Sequence, residues 1–242
     1  HVILRRYLEA WFPIQTRHND RVAIIDGFAG PGEYENGEPG SPIIAINTVL
    51  EHKIPIEKEI NFLFVEKDGD RFNHLVSKLK QIQLKQNIHF KCEHNEFFNV
   101  VKKNLDKLDK NNSKLEPTFT FIDPFGFSGL PMEIIKRLMQ NEKCEVLVTF
   151  MYEELDRFMK LDINKNNCNG LFASEEWQEI YQDKDQAVRE RRLHQLYRKQ
   201  LEKYAEIKYV KSFKMKNNFN KTDYFLFFGT NNITGLEKMK EA

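Results

Sequence analysis

The sequence predicts an α/β fold: a mostly parallel seven-stranded sheet with helices on its faces, the last strand antiparallel, and a helical insertion ahead of the closing strands. Three observations carry this expectation. Short apolar runs ending in an acid recur at residues 22–26, 62–66 and 118–123, and continuous apolar runs of that length suit parallel strands buried on both faces. Stretches with apolar residues at helical spacing separate them. Finally, residues 207–214 and 224–229 read as two strands joined by the turn-rich 216–223, close enough for a hairpin. With 40% hydrophobic residues in 242, the chain has enough apolar content for one full core, so a single domain over 1–242 with an insertion at about 151–206 is expected.

The elements follow in order. Ile3, Leu4, Tyr7, Leu8, Trp11 and Phe12 recur at helical spacing, and Pro13 stands where that pattern ends, which predicts a helix closing there. The first strand, 22–26, breaks into Asp26-Gly-Phe-Ala-Gly-Pro-Gly32. Its glycines let backbone pass close to a ligand where a side chain would collide. A dinucleotide fingerprint would need its third glycine at position 35, where Glu35 stands; a glycine-rich strand exit without a ligand is the plain alternative. A loop rich in turn residues, 35–40, comes next, as a lid or as an ordinary excursion. Ser41 and Pro42 then read as N-cap and first position of a helix to about residue 51.

Glu66 ends the second strand, where a carboxylate accepts hydrogen bonds from both hydroxyls of a ribose. A helix with Phe72, Leu75, Val76, Leu79 and Ile82 on its core face follows. The third strand is expected at 88–92, with Glu93, His94 and Asn95 at its exit. Glu93 or His94 is a candidate for the edge of an adenine, and Asn95 for the N-cap of a helix carrying Phe97, Phe98, Val101, Leu105 and Leu108.

The fourth strand ends in Asp123-Pro-Phe-Gly-Phe127. Proline stops the hydrogen-bond ladder, and its carbonyl beside the Asp123 carboxylate makes two neighbouring acceptors, an arrangement that holds an amine. A helix from Pro131 and a fifth strand at 145–150 follow. Alternation then lapses into the polar run 164–170 and a long helix with Val188, Leu193, Leu196, Leu201 and Tyr204, the place for substrate-specific structure.

A net charge of +1 excludes a bulk pull toward nucleic acid, yet residues 181–221 hold twelve Lys and Arg against five Asp and Glu, either a patch or a solvated face. Cys92, Cys144 and Cys168 lie too far apart for a Cys-x-x-Cys zinc or redox site, and their odd number argues against a secreted disulfide framework; a reducing, cytoplasmic location and no metal are expected. No Walker Gly-Lys-Ser/Thr occurs, and no apolar stretch approaches a membrane span. The chain opens and closes within helix-like sequence, so further residues are expected beyond both ends.

Asp26-Gly-Phe-Ala-Gly-Pro-Gly-Glu-Tyr-Glu-Asn-Gly-Glu-Pro-Gly-Ser-Pro42 and Phe121-Ile-Asp-Pro-Phe-Gly-Phe-Ser-Gly-Leu-Pro-Met132 closely resemble the three-Cys-motif partner family, TcmP; 148–153 and 224–231 match it as well. The resemblance covers nearly the whole chain. It implies a Rossmann-like class I methyltransferase fold and S-adenosylmethionine as cofactor. The positions it implies for that cofactor are Asp26, Gly27, Phe28, Gly30, Gly32, Glu66 and Glu93. The family is named for co-occurrence with a separate three-Cys-motif protein similar to radical S-adenosylmethionine enzymes, which the resemblance makes an expected partner. Asp123 and Pro124 are also similar to the opening of the Asp/Asn-Pro-Pro-Tyr/Phe signature of amino-methyltransferases. That likeness implies an exocyclic amine of a DNA or RNA base as substrate, oriented by Asp123 and the Pro124 carbonyl. This chain departs from the signature with Phe125 and Gly126, which displaces the stacking aromatic to Phe125 or Phe127. Two functions therefore stand: a methyltransferase, and a non-catalytic module of the same fold working through a partner.

Overall fold

The structure, a computed structural model, describes residues 1–242. In chain order the elements are α1 (Val2–Thr16), β1 (Arg21–Asp26), α2 (Ser41–Leu50), β2 (Glu59–Glu66), α3 (Gly69–Lys80), β3 (Ile88–His94), α4 (Phe97–Lys110), β4 (Thr118–Ile122), α5 (Met132–Met139) and β5 (Cys144–Phe150), then α6 (Tyr152–Phe158), α7 (Lys165–Phe172), α8 (Glu176–Tyr181), α9 (Gln186–Lys203), β6 (Tyr209–Lys216), β7 (Thr222–Thr230) and α10 (Ile233–Glu241). The strands form one seven-stranded sheet in the order β3-β2-β1-β4-β5-β7-β6. β1 pairs in parallel with β2 and β4, and β2 with β3, whereas β7 is antiparallel to β5 and β6. This mixed, mostly parallel α/β sheet is Rossmann-like, with the late antiparallel strand in the position expected. By contacts the chain divides into two units, His1–Phe121 with Ile233–Ala242, and Ile122–Asn232.

In the first unit, α1 buries Leu4, Tyr7, Leu8, Trp11 and Phe12, the face its spacing marks, but Pro13 does not end it. The proline ring withdraws an amide and crowds the carbonyl four residues back, that of Glu9. His52 Nε2–H donates to this carbonyl at 2.9 Å, and His52 Nδ1 accepts from the Ile54 amide at 3.1 Å, so the helix runs on to Thr16. α2 starts at Ser41 itself, with Gly40 as its N-cap. β3 runs two residues past Cys92, because Glu93 and His94 pair with Val65 and Glu66 of β2. Asn95 is consequently outside the N-cap position, which Glu96 takes; the Asn95 side chain accepts from the Glu96 amide at 2.8 Å.

In the second unit, Phe225 and Phe227 of β7 and Phe150 of β5 make an aromatic cluster with Tyr197 of α9, ring centroids 4.6 Å apart for Phe150 and 5.0 Å for Phe227. The asparagine-rich run folds as helix α7, held by burial of Cys168, Leu171 and Phe172. Between residues 151 and 206 the chain is mostly helical, in α6, α7, α8 and α9, with no strand.

Candidate functional site

The two stretches singled out in the sequence lie at the ends of β1 and β4. In the first, β1 is nearly fully buried and delivers Asp26 to its carboxyl end at 2% exposure. The four amides that follow are each engaged by protein: Gly27 N–H donates to the Phe121 carbonyl (2.9 Å), Phe28 N–H to Asp26 Oδ1 (3.3 Å), Ala29 N–H to the Val65 carbonyl (2.9 Å) and Gly30 N–H to Glu66 Oε2 (2.8 Å). The other Glu66 oxygen accepts from the Asp68 amide at 2.8 Å. Glu66, only 5% exposed, thus ties the glycine turn to the start of α3. A carboxylate offers about four lone-pair sites, so about two remain.

The glycines serve different neighbours. A Cβ on Gly27 would collide with the Phe97 ring, and one on Gly32 would come 3.0 Å from Leu75 Cδ1, so both make room for protein. At Gly30, φ is +62° and a Cβ would meet nothing within 4 Å; this residue clears open space. The far side of the turn is held from α3, by His74 Nδ1 on the Pro31 carbonyl (2.7 Å) and Lys78 Nζ on Glu33 (2.6 Å). Beyond it, residues 33–39 close on themselves. Glu33 and Pro39 bridge, and Gly40 N–H donates to the Gly32 carbonyl at 2.7 Å.

Phe28 is half-buried, its ring 5.7 Å from that of Phe97. Glu93 stands opposite Val65, while Glu66 is opposite His94. Side chains alternate along a strand, so Glu93 faces away from the Glu66 side, and it pairs with Lys91 at 2.5 Å. His94 shares the Glu66 side, stacks on Phe72 at 5.1 Å and bonds the Lys67 carbonyl at 3.1 Å.

In the second stretch, Asp123 follows the end of β4 and is half-buried. Burial pushes its carboxyl pKa up, against a hydrogen bond from the Thr149 hydroxyl that lowers it. Tyr224 lies close enough that, after its own burial, the Asp123 charge helps raise its phenol. Pro124 is buried. Gly126 has φ +99°, and a Cβ there would lie 3.0 Å from Glu154 Oε2, which explains why an aromatic cannot occupy the fourth position of the signature here. Of the two aromatics, Phe127 is a core residue at 8% exposure and Phe125 is 69% exposed. Thr149 and Tyr224 have no site role in the sequence reading. A buried hydroxyl inside the apolar run 146–150 of β5 needs a partner, and that signal points to Thr149.

No group of three His, Cys, Asp or Glu side chains is placed to hold a metal ion. No helix is long and apolar enough to cross a membrane.

No protein-family model matches the sequence, and no curated protein matches it. Among solved structures, protein LPL1258 from Legionella pneumophila, of family DUF519, superposes with a TM-score of 0.55 at 14% identity, over 99% of this chain and 88% of its own. An O-methyltransferase from Bacillus cereus in complex with SAH gives 0.47 at 12% identity, over 93% of this chain and 80% of its own. The delta-N METTL16 MTase domain gives 0.41 at 12%, over 96% and 84%. At 14% identity the likeness to the Legionella protein is one of fold.

Proposed function

We propose that the protein is an S-adenosylmethionine-dependent methyltransferase acting on an exocyclic amine of a base in DNA or RNA. The observation that carries the reading is the donor and acceptor balance of the β1 turn. Phosphates need free amide N–H groups, and here the amides of Gly27, Phe28, Ala29 and Gly30 are all engaged. What the turn offers instead is carbonyls, open space at Gly30 and two buried carboxylates, Asp26 and Glu66. That set suits a ligand with an ammonium, a sulfonium and a ribose diol, and disfavours a dinucleotide or ATP. Asp26 and the turn carbonyls would hold the amino-acid end, and the remaining lone pairs of Glu66 the ribose.

The bound cofactor supplies an electrophilic methyl group. The chain's part is orientation. The Asp123 carboxylate, fixed by Thr149, and the Pro124 carbonyl accept from the amine N–H groups, directing its lone pair outward, while exposed Phe125 stacks on the base. Phe127 belongs to the core in this reading, and Glu93, facing away from Glu66, is kept with His94 as a candidate for the adenine edge. The helices of 151–206 are an insertion carrying substrate-side structure.

Calorimetry with S-adenosylmethionine and its demethylated product, with a labelled-methyl assay over DNA, RNA and protein, tests the proposal. Binding of both ligands and labelling of an amine are expected, with Asp123→Ala binding the cofactor normally while turnover falls on the order of a hundredfold. Absence of binding overturns the proposal. Binding with no labelling of any acceptor overturns the enzyme and favours the module working with a three-Cys-motif partner.

A further inference from the structure

The positive excess of 181–221 resolves into two parts. On and around α9, the guanidinium of Arg189 is clamped by both oxygens of Asp156, at 2.7 and 2.9 Å. Arg192 pairs with Glu179 and Asp183, Arg198 with Glu202, and Lys199 with Glu176. Lys184, Arg191 and Lys203 stand outside these pairs, and the β6–β7 hairpin differs in carrying no acid from 207 to 222. Those residues hold five lysines, of which only Lys214 is in an ion pair, with Glu190 of α9.

At the hairpin tip, Phe219 is 84% exposed. The turn beneath it is tightly bonded: Asn217 Oδ1 accepts from the amides of Phe219 (3.0 Å) and Lys221 (3.2 Å), and Lys216 Nζ donates to Asn220 Oδ1 (2.8 Å). The ring therefore stands on a fixed platform between two lysines. Register links this tip to Asp123. Met215 is opposite Tyr224, Phe213 opposite Leu226, and Leu226 opposite Thr149, so these residues share one sheet face with the hydroxyl that holds Asp123. Lys211 is on that face as well, its ammonium 5.8 Å from the Phe213 ring centre.

We propose that the β6–β7 hairpin is a binding element for single-stranded nucleic acid, with a base stacked on Phe219 and phosphates met by Lys211, Lys216 and Lys221. Along the strand from Tyr224 to Lys221 the chain advances about 10 Å, so a polynucleotide lying on this face leads from the tip to Asp123. An unstacked base suits an exposed ring better than a duplex does, because stacking needs a free π-face. This inference rests on the nucleic-acid substrate of the proposed function.

The test is fluorescence anisotropy on the full chain without cofactor, using labelled single strands of DNA and of RNA about twelve nucleotides long, and a duplex. Phe219→Ala should weaken single-strand binding about tenfold. Lys216→Gln with Lys221→Gln should reduce the slope of log affinity against log salt by about 1.4, from about 0.7 for each phosphate. All three residues are exposed, so folding is not at stake. Failure of the unmodified chain to bind single strands, a preference for duplex, or variants that bind unchanged would each overturn the inference. Methyl labelling of nucleic acid by a chain with no hairpin dependence overturns this inference alone; hairpin-dependent binding with no labelling overturns the enzyme alone. The DNA and RNA arms identify the sugar.

Discussion

Both oxygens of Glu66 already accept backbone hydrogen bonds, from Gly30 and from Asp68, before any ligand is considered. Beside the ligand-binding role proposed for it, Glu66 thus has a structural one, and the two have separate readouts. Hydrogen bonds to a charged group are each worth about 1.5–3 kcal/mol, so Glu66→Ala should lower stability in urea by on the order of 3 kcal/mol and weaken S-adenosylmethionine at least tenfold by calorimetry. A variant equally stable, or one that binds unchanged, contradicts the respective half. Asp123 makes the opposite kind of contribution. Its folded pKa lies above the ordinary 3.8 because burial disfavours the charge, so the folded state holds the proton more tightly. Stability is then lost as pH rises from 3.8 through the raised value. Asp123→Asn should be more stable than the unmodified chain at neutral pH, and that gain should vanish below pH 3.8, where both side chains are neutral. Chemical denaturation at a series of pH values checks the sign. At this scale, Asp26, Glu66 and Asp123 are legible because each is an acid ending an apolar run. The engagement of the turn amides is not, since their acceptors Val65 and Phe121 come from strands that meet β1 only in the fold.

Helix α1 shows how a locally sound rule is overridden at the scale of the element. Pro13 forfeits the helical hydrogen bond to the Glu9 carbonyl, and His52, 43 residues on from Glu9, restores that carbonyl's partner. His52→Ala should therefore destabilise the chain by about 0.5 to 1 kcal/mol, the net worth of one hydrogen bond at a solvent-accessible carbonyl. Pro13→Ala should recover part of that loss by returning an amide to Glu9. Thermal melts of the two single variants and the double variant measure the coupling, and additive effects would show that the ring and the proline are unrelated. The end of β3 was illegible for a similar reason: Glu93 and His94 look like a turn and become strand because β2 supplies a ladder for them. The asparagine run of α7 has weak helix propensity, and three buried side chains hold it.

At the scale of the whole molecule, the strand and helix alternation predicts the sheet well, because parallel strands buried on both faces leave an apolar mark that needs no knowledge of partners. The division into two units at Phe121 leaves no such mark, since it falls inside the continuous run of β4. A ligand that binds only the folded chain raises its melting temperature. At a concentration a hundred times its dissociation constant the gain is about 2.7 kcal/mol, or roughly 5 to 10 °C for a chain of this size. Scanning calorimetry should show that shift with S-adenosylmethionine and none with ATP or a nicotinamide dinucleotide; the reverse pattern would contradict the acceptor-rich reading of the β1 turn. One part of that turn has a practical consequence. Because the Gly40 amide on the Gly32 carbonyl and the bridge from Glu33 to Pro39 fasten the base of residues 33–39, their exposed apex around Asn36 and Gly37 bears little of the chain's cohesion. Doubling such a loop costs about 0.6 kcal/mol, a drop of about 2 °C in melting temperature, so a short peptide spliced between Asn36 and Gly37 is expected to be tolerated and gives a place to attach a dye. Its emission, followed while S-adenosylmethionine is titrated in, would distinguish a segment that folds over the ligand from one that ignores it.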